Sequence, residues 1–322
     1  MSSVAIHFES ENFPAALGLS HSGSLTVSWD EILHAAITVG RPSWYYVFRH
    51  GTASGYEALF RWSILRMAVE QRGTWMHELH RTSAVDNLDP TEKGAVNYFL
   101  GMTFCKLFAA KLLNTPWMLH VDVARPRIGF RLAGRSRPDL IGQDDSTKRW
   151  HAFECKGRSA TPELTTKEKA KDQAQRIVVV DGQPCDLHIG AITYFRNEVL
   201  QYYWRDPPPN TEEPIEIPLG ADIWRYYYAP ALELVRNDRN TYTRMLTEPV
   251  MAQLEEADVT VGIHPKVLQA LERGAWSTAR EIARTEWAFL ISQRVNLPPY
   301  QADGMAIVAG PSWSLPFEKA SP

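Results

Sequence analysis

The strongest constraint on this chain is a change of hydrophobic period near its middle. A capping pattern, Asp89-Pro90-Thr91-Glu92, opens a long helix with Pro90 at its first position. Val96, Phe99, Leu100, Phe104, Leu107 and Phe108 recur along it at helical spacing and leave room for only one polar edge. Beyond it the pattern switches to short alternating runs. Residues 117–123, 129–134, 137–141 and 150–155 read as strands, 161–178 as a helix starting at Thr161-Pro162, and 187–195 as a further strand. Helix, three or four strands, helix, strand is the order of an α/β sandwich.

On the N-terminal side, Ser28-Trp29-Asp30-Glu31 is a capping box and Gly40 a stop, so residues 29–39 should be helical. Residues 44–50 read as a strand, and 56–72 as an apolar helix ending at Gly73. On the C-terminal side, the proline-rich run at 206–214 reads as a linker. Beyond it, helices are expected over 221–236, 240–257, 265–273 and 276–294, with a strand at 305–309. The expected organisation is an N-terminal helical or mixed extension (1–89), an α/β core (90–205) and a mostly helical C-terminal region (206–322).

With 44% apolar and 22% charged residues among 322, the chain has the composition of a soluble globular protein, which excludes a disordered or fibrous one. Cys105, Cys155 and Cys185 contain no CxxC pair, against a disulfide framework or zinc knuckle. No apolar run reaches the roughly 18 residues of a membrane span, and Met1–Ser10 lacks the pattern of a signal peptide, so a cytoplasmic protein is expected. Charge is segregated. Residues 125–176 hold 13 Lys and Arg against 7 Asp and Glu, a local +6 within a chain of net −3, so the remainder carries −9. That pattern suits one positive surface on an acidic body, and equally an ordinary solvated face.

The chemistry concentrates in Arg137-Pro138-Asp139-Leu140-Ile141-Gly142 followed by His151-Ala152-Phe153-Glu154-Cys155-Lys156-Gly157. Strand alternation puts Glu154 and Lys156 on one face and Phe153 and Cys155 on the other. The 14 residues between Asp139 and Glu154 suffice for a hairpin that sets Asp139 on the neighbouring strand. Two carboxylates suit a hard divalent cation, and a nearby ammonium suits a developing negative charge. Gly157 ends the strand, where the lack of a side chain would let a phosphate backbone approach.

Pro138-Asp139 with Glu154-Cys155-Lys156 resembles the signature of the PD-(D/E)xK nuclease superfamily, which includes restriction endonucleases and RecB-like exonucleases. The likeness covers about residues 90–200. It implies a restriction-endonuclease-like mixed sheet flanked by helices, with Asp139 and Glu154 binding Mg²⁺ (Mn²⁺ as a substitute) and the Cys155 carbonyl as a third ligand. Lys156 would orient or activate water. Gln173 resembles a helix glutamine that RecB-like members place beside the metal, and reads equally as a solvated helix edge. Glu92 resembles an acidic residue on the preceding helix, although capping with Asp89 explains it.

Arg125, Arg127, Arg131, Arg135 and Arg137, with Arg158 and Lys169, are candidate phosphate contacts, or else a salt-bridged rim. His77-Glu78-Leu79-His80 lacks the spacing of a zinc helix. The tyrosine and tryptophan clusters at 202–204 and 226–228 read as packing rather than base stacking. The expected activity is metal-dependent endonucleolytic cleavage of DNA, in prokaryotic defence, restriction or repair. A homodimer, and a partner protein held by the C-terminal region, are further expectations. The alternatives are a non-catalytic scaffold that binds nucleic acid, or a nuclease acting on RNA.

Overall fold

The computed structural model describes residues 3–41, 52–73, 77–124, 137–208, 214–237, 250–292, 300–315 and 317. Strand β1 (Ser3–Glu11) buries Val4, Ile6 and Phe8 and pairs antiparallel with β2 (Ser22–Ser28). Ser28 then caps α1 (Trp29–Thr38) through a capping box with Glu31. Helix α2 (Thr52–Ala68) ends four residues earlier than helical periodicity suggests. Residues Val69–Arg72 instead form β3, paired antiparallel with β4 (Glu78–Arg81). A single-turn α3 (Ser83–Asp86) leads to α4 (Pro90–Leu112), whose first turn is closed by Asp89 and Glu92 in a reciprocal cap.

From there run β5 (Trp117–His120), β6 (Leu140–Gln143) and β7 (Trp150–Gly157), then α5 (Leu164–Ala174), β8 (Ile177–Val180), β9 (Gln183–Arg196), β10 (Val199–Arg205) and β11 (Ile215–Ile217). These strands join β1–β4 in one curled, mixed, 11-stranded sheet whose main path is β2-β1-β4-β10-β9-β7-β6-β5. Both faces of β7 are covered, as its nearly unbroken burial requires. On one face lies α4, with Phe108 stacked on Tyr202 at 3.9 Å; on the other lies α5. The parallel pairing of β1 with β10, which brings the first and tenth strands side by side, is not expected from the helix signals that dominate the first hundred residues.

The chain on both sides of the proline run is bonded to this sheet. The Asp206 amide donates to the Glu11 carbonyl at 3.1 Å, and β11 pairs with β8. Helix α6 (Arg225–Asn237) follows, and Trp224 just before it packs against Trp117 and Trp150. Residues 250–257, expected to be helical, instead form β12 (Val250–Leu254) and a short turn. With β13 (Val259–Ile263) and β14 (Met305–Ala309), β12 makes a second, three-stranded sheet. The register Val250 to Ile263 and Leu254 to Val259 pairs β-branched and aliphatic side chains across the ladder, and that cross-strand packing overrides local helix preference. Helices α7 (Pro265–Glu272) and α8 (Trp276–Ser292) fall where periodicity puts them. The expected strands at 44–50 and 129–134 lie outside the described residues.

A buried charge network joins the two sheets' surroundings. The Asp303 carboxylate lies 2.7 Å from His34 Nε2 of α1 and accepts from the Tyr227 hydroxyl of α6 at 2.6 Å. Lys106 of α4, only 1% exposed, donates to the Pro116 carbonyl and to Tyr227 at 3.3 Å. Burial pushes the Lys106 ammonium down to about 7, against the pull of Asp303. Among the described residues, no helix is long and apolar enough to cross a membrane.

Candidate functional site

Strands β6 and β7 pair from Gln143–Trp150 up to Leu140–Phe153 and then part. The last rung is the Asp139 amide donating to the Phe153 carbonyl at 3.0 Å. Beyond it, the Cys155 amide has no strand to bond and donates at 2.9 Å to the Asp139 carboxylate instead. The Asp139 carbonyl accepts from Val121 at 2.9 Å, so its backbone is clamped from two sides. Amide and carbonyl of one strand residue point to the same side, so the Cys155 carbonyl also faces the gap. A wedge-shaped opening thus carries the Asp139 side chain at its apex.

Glu154 and Lys156 project from β7 toward α5. That helix sits close because β9 offers Gly190, paired with Glu154; a Cβ there would come within 3.0 Å of the Ala170 and Lys171 backbone. Close docking brings Gln173 over the strand. The Lys156 ammonium donates to Glu154 Oε1 at 2.6 Å and to Gln173 Oε1 at 2.6 Å. Gln173 therefore lies in the same constellation as Asp139, Glu154 and Lys156, and is not a solvated helix edge.

Glu154 is 4% exposed, and its Oε2 has no hydrogen-bond donor. Besides Lys156, the carboxyl of Asp139 lies near enough for its charge to act on Glu154. A buried carboxylate oxygen with no donor is short of a proton or a cation. Burial, reinforced by the Asp139 charge, pushes Glu154 up to about 8 although Lys156 pulls it down. Burial also raises Asp139, against the Cys155 amide and the Lys156 charge. Among the described residues, no group of three or more His, Cys, Asp and Glu side chains converges on one point. A divalent ion here would rest on Asp139, Glu154 and the Cys155 carbonyl, with its remaining positions left to water or phosphate, a coordination that suits Mg²⁺. The donor set and the orphaned Oε2 fit such an ion.

Gly157 has a different purpose from the one its position suggests. A Cβ there would lie 1.8 Å from the Asn97 carbonyl oxygen, so the space beside it is filled by α4 rather than left open to a phosphate. Gly101 of α4 makes the reciprocal approach, since a Cβ there would lie 2.8 Å from the Lys156 backbone. Glu92 is engaged in the cap, its carboxylate accepting from the Asp89 amide at 3.0 Å.

The basic candidates divide. Arg125, Arg127, Arg131 and Arg135 lie outside the described residues. Arg137 is bonded to Asp122 and adds its charge to the surroundings of Asp139. Arg158 is exposed at the end of β7, its backbone amide donating to the Thr193 carbonyl at 2.9 Å. Lys169 is exposed on α5, one turn before Gln173. The aromatic clusters at 202–204 and 226–228 are packing residues: Tyr202, Tyr203, Trp204, Tyr227 and Tyr228 are buried.

The structure adds residues to the site's rim. Tyr98 of α4 lies near enough to Asp139 for that carboxylate to help burial push the phenol up to about 12, while Arg61 of α2 pulls it down. Only the helical spacing of α4 hints at this in the sequence, since Tyr98 falls on the polar edge left by its apolar positions. The chain matches no protein-family model, no curated protein and no solved structure.

Proposed function

We propose that this chain is a metal-dependent nuclease of the PD-(D/E)xK type, with a restriction-endonuclease-like core, and that it hydrolyses DNA phosphodiester bonds. The observation that carries the reading is the orphaned, buried Glu154 Oε2 near the Asp139 charge, with Lys156 held on the other oxygen. A fold gains no stability from two buried carboxylates close together, which supports a functional reading of the pair. When bound, a divalent cation polarises the phosphate and eases ionisation of water. Asp139, Glu154 and the Cys155 carbonyl would hold that cation. Lys156, fixed between Glu154 and Gln173, presents its ammonium to the oxygens on which negative charge grows as the P–O bond breaks. Gln173 keeps that ammonium from collapsing onto Glu154 alone.

The test separates chemistry from metal binding. Lys156→Ala is expected to abolish plasmid nicking yet still bind Mg²⁺ in a calorimetric titration, because the lysine is not a ligand. Asp139→Asn and Glu154→Gln are expected to lose both. Nicking by Lys156→Ala at the parent rate, or by the parent protein in EDTA, would sink the proposal.

A further inference from the structure

A row of exposed rings leads to the carboxylate pair. Tyr56 and Phe60 lie one turn apart on α2 and are 66% and 51% exposed. Phe60 meets Phe99 of α4 edge-on at 5.4 Å, and Phe99 meets Tyr98 edge-on at 5.4 Å. Tyr98, 37% exposed, closes the row; its neighbour Asn97 lies against Gly157, at the end of the strand that carries Glu154 and Lys156. From below, the Arg61 guanidinium lies over the Phe99 ring at 5.4 Å. One turn before Tyr98 stands Gly94, where a Cβ would meet nothing within 4 Å, so the space beside the tyrosine is open. Soluble proteins seldom leave three large aromatics exposed side by side without a ligand.

Resting on the nuclease reading above, we propose that Tyr56, Phe60 and Tyr98 form a stacking shelf for unpaired bases, which guides a single strand of nucleic acid to Asp139 and Glu154. The substrate class is then single-stranded DNA, or the unpaired arm of a branched molecule, rather than an intact duplex. The chemistry of the rings favours this occupant. The rings of Tyr56, Phe60 and Tyr98 stay open to solvent, and an open ring is what an unpaired nucleobase stacks on. A duplex buries its base faces in its own stack and has none to offer. Arg158, exposed at the end of β7 next to Gly157, which lies against Asn97 beside Tyr98, supplies a backbone contact of the right sign. An aliphatic helix or a second copy of this chain would need a broader apolar patch than three rings broken by Gly94 and flanked by Glu57, which itself pairs with Arg41 and Arg61.

The experiment measures fluorescence anisotropy of a labelled oligo-dT and of a matched duplex, in EDTA so that nothing is cut, with the full chain. Phe60→Ala and Tyr98→Ala are each expected to weaken oligo-dT binding about five- to a hundredfold, the range of one lost base stack. Tyr98→Phe, which keeps the ring, should bind like the parent, and duplex binding should be weaker throughout and unmoved. Circular dichroism confirms that each variant is folded. Parent-like oligo-dT binding by a folded Phe60→Ala/Tyr98→Ala double variant overturns the shelf. So does a parent protein that binds no oligo-dT or prefers duplex, or one whose oligomeric state rather than affinity changes in the variants. If oligo-dT binding falls as described but no cleavage appears in Mg²⁺, the shelf stands and the nuclease reading fails.

Discussion

In the metal-free protein, Glu154→Gln is expected to raise stability at neutral and alkaline pH while removing cleavage. The Glu154 carboxyl is held near 8 in the fold against an ordinary 4.5. Between those values the folded chain keeps a proton that the unfolded chain has lost. Stability then falls as pH rises through the interval, and is fully present only below about 4.5. Integrated to pH 7, the loss is on the order of 3 kcal/mol, with the opposing pull of Lys156 already contained in the shifted value. Glutamine keeps the shape and an acceptor for Lys156 but cannot ionise, so the loss disappears. For a chain of 322 residues that is a gain of about 5 °C in Tm near pH 7–8, shrinking to nothing near pH 4. Thermal melts of both proteins in EDTA, followed by circular dichroism from pH 4 to 8.5, read the difference directly. Added Mg²⁺ should stabilise the parent more at pH 8 than at pH 6, since the ion displaces the proton, and should leave Glu154→Gln unmoved. A Glu154→Gln protein that melts at or below the parent at pH 8, or a gap that widens toward acid, would refute the reasoning.

Two further outcomes test the packing around the site. Gly157→Ala should cost more than about 3 kcal/mol, because its Cβ meets a backbone oxygen of α4 at 1.8 Å and the helix must lift off the strand; an unchanged urea midpoint would show that the glycine has another purpose. Asp303→Asn should cost about 3 kcal/mol by leaving Lys106 buried without its counter-charge, read from the same urea titration, and a parent-like midpoint would remove the network from the account of stability.

The carboxylate strand was legible because period two and an interrupted hairpin are local properties. Asp139, Glu154 and Lys156 are brought together by short connections, within 18 residues of one another. Gln173 was half legible: its helix and stripe follow from spacing, but its contact with Lys156 depends on Gly190 letting α5 settle, a property of a strand further along. Gly157 was misread because a glycine's local signature is the same whether a ligand or a helix occupies the vacant space. The parallel alignment of β1 with β10 rests on pairings almost two hundred residues apart, which no local period encodes. The strand at Val250–Leu254 escaped for a related reason, as five residues are too few to separate one period from the other. The rim tyrosine, Tyr98, looked like an ordinary polar-edge residue because its neighbour from α2 is supplied only by the tertiary fold.

The Asp303 network also bears on the order of events during synthesis. His34, Lys106 and Tyr227 wait for a partner that leaves the ribosome 269 residues after His34. Until then a lysine destined for complete burial has no counter-charge, and α1, α4 and α6 lack the group that holds them in register. Loops of that length close slowly, and their entropy must be met before any contact rewards it. The nascent chain should therefore populate a partly assembled sheet whose polar interior is still wet. A protein stopped short of Asp303 would be a substrate for chaperones and proteases rather than a smaller folded protein.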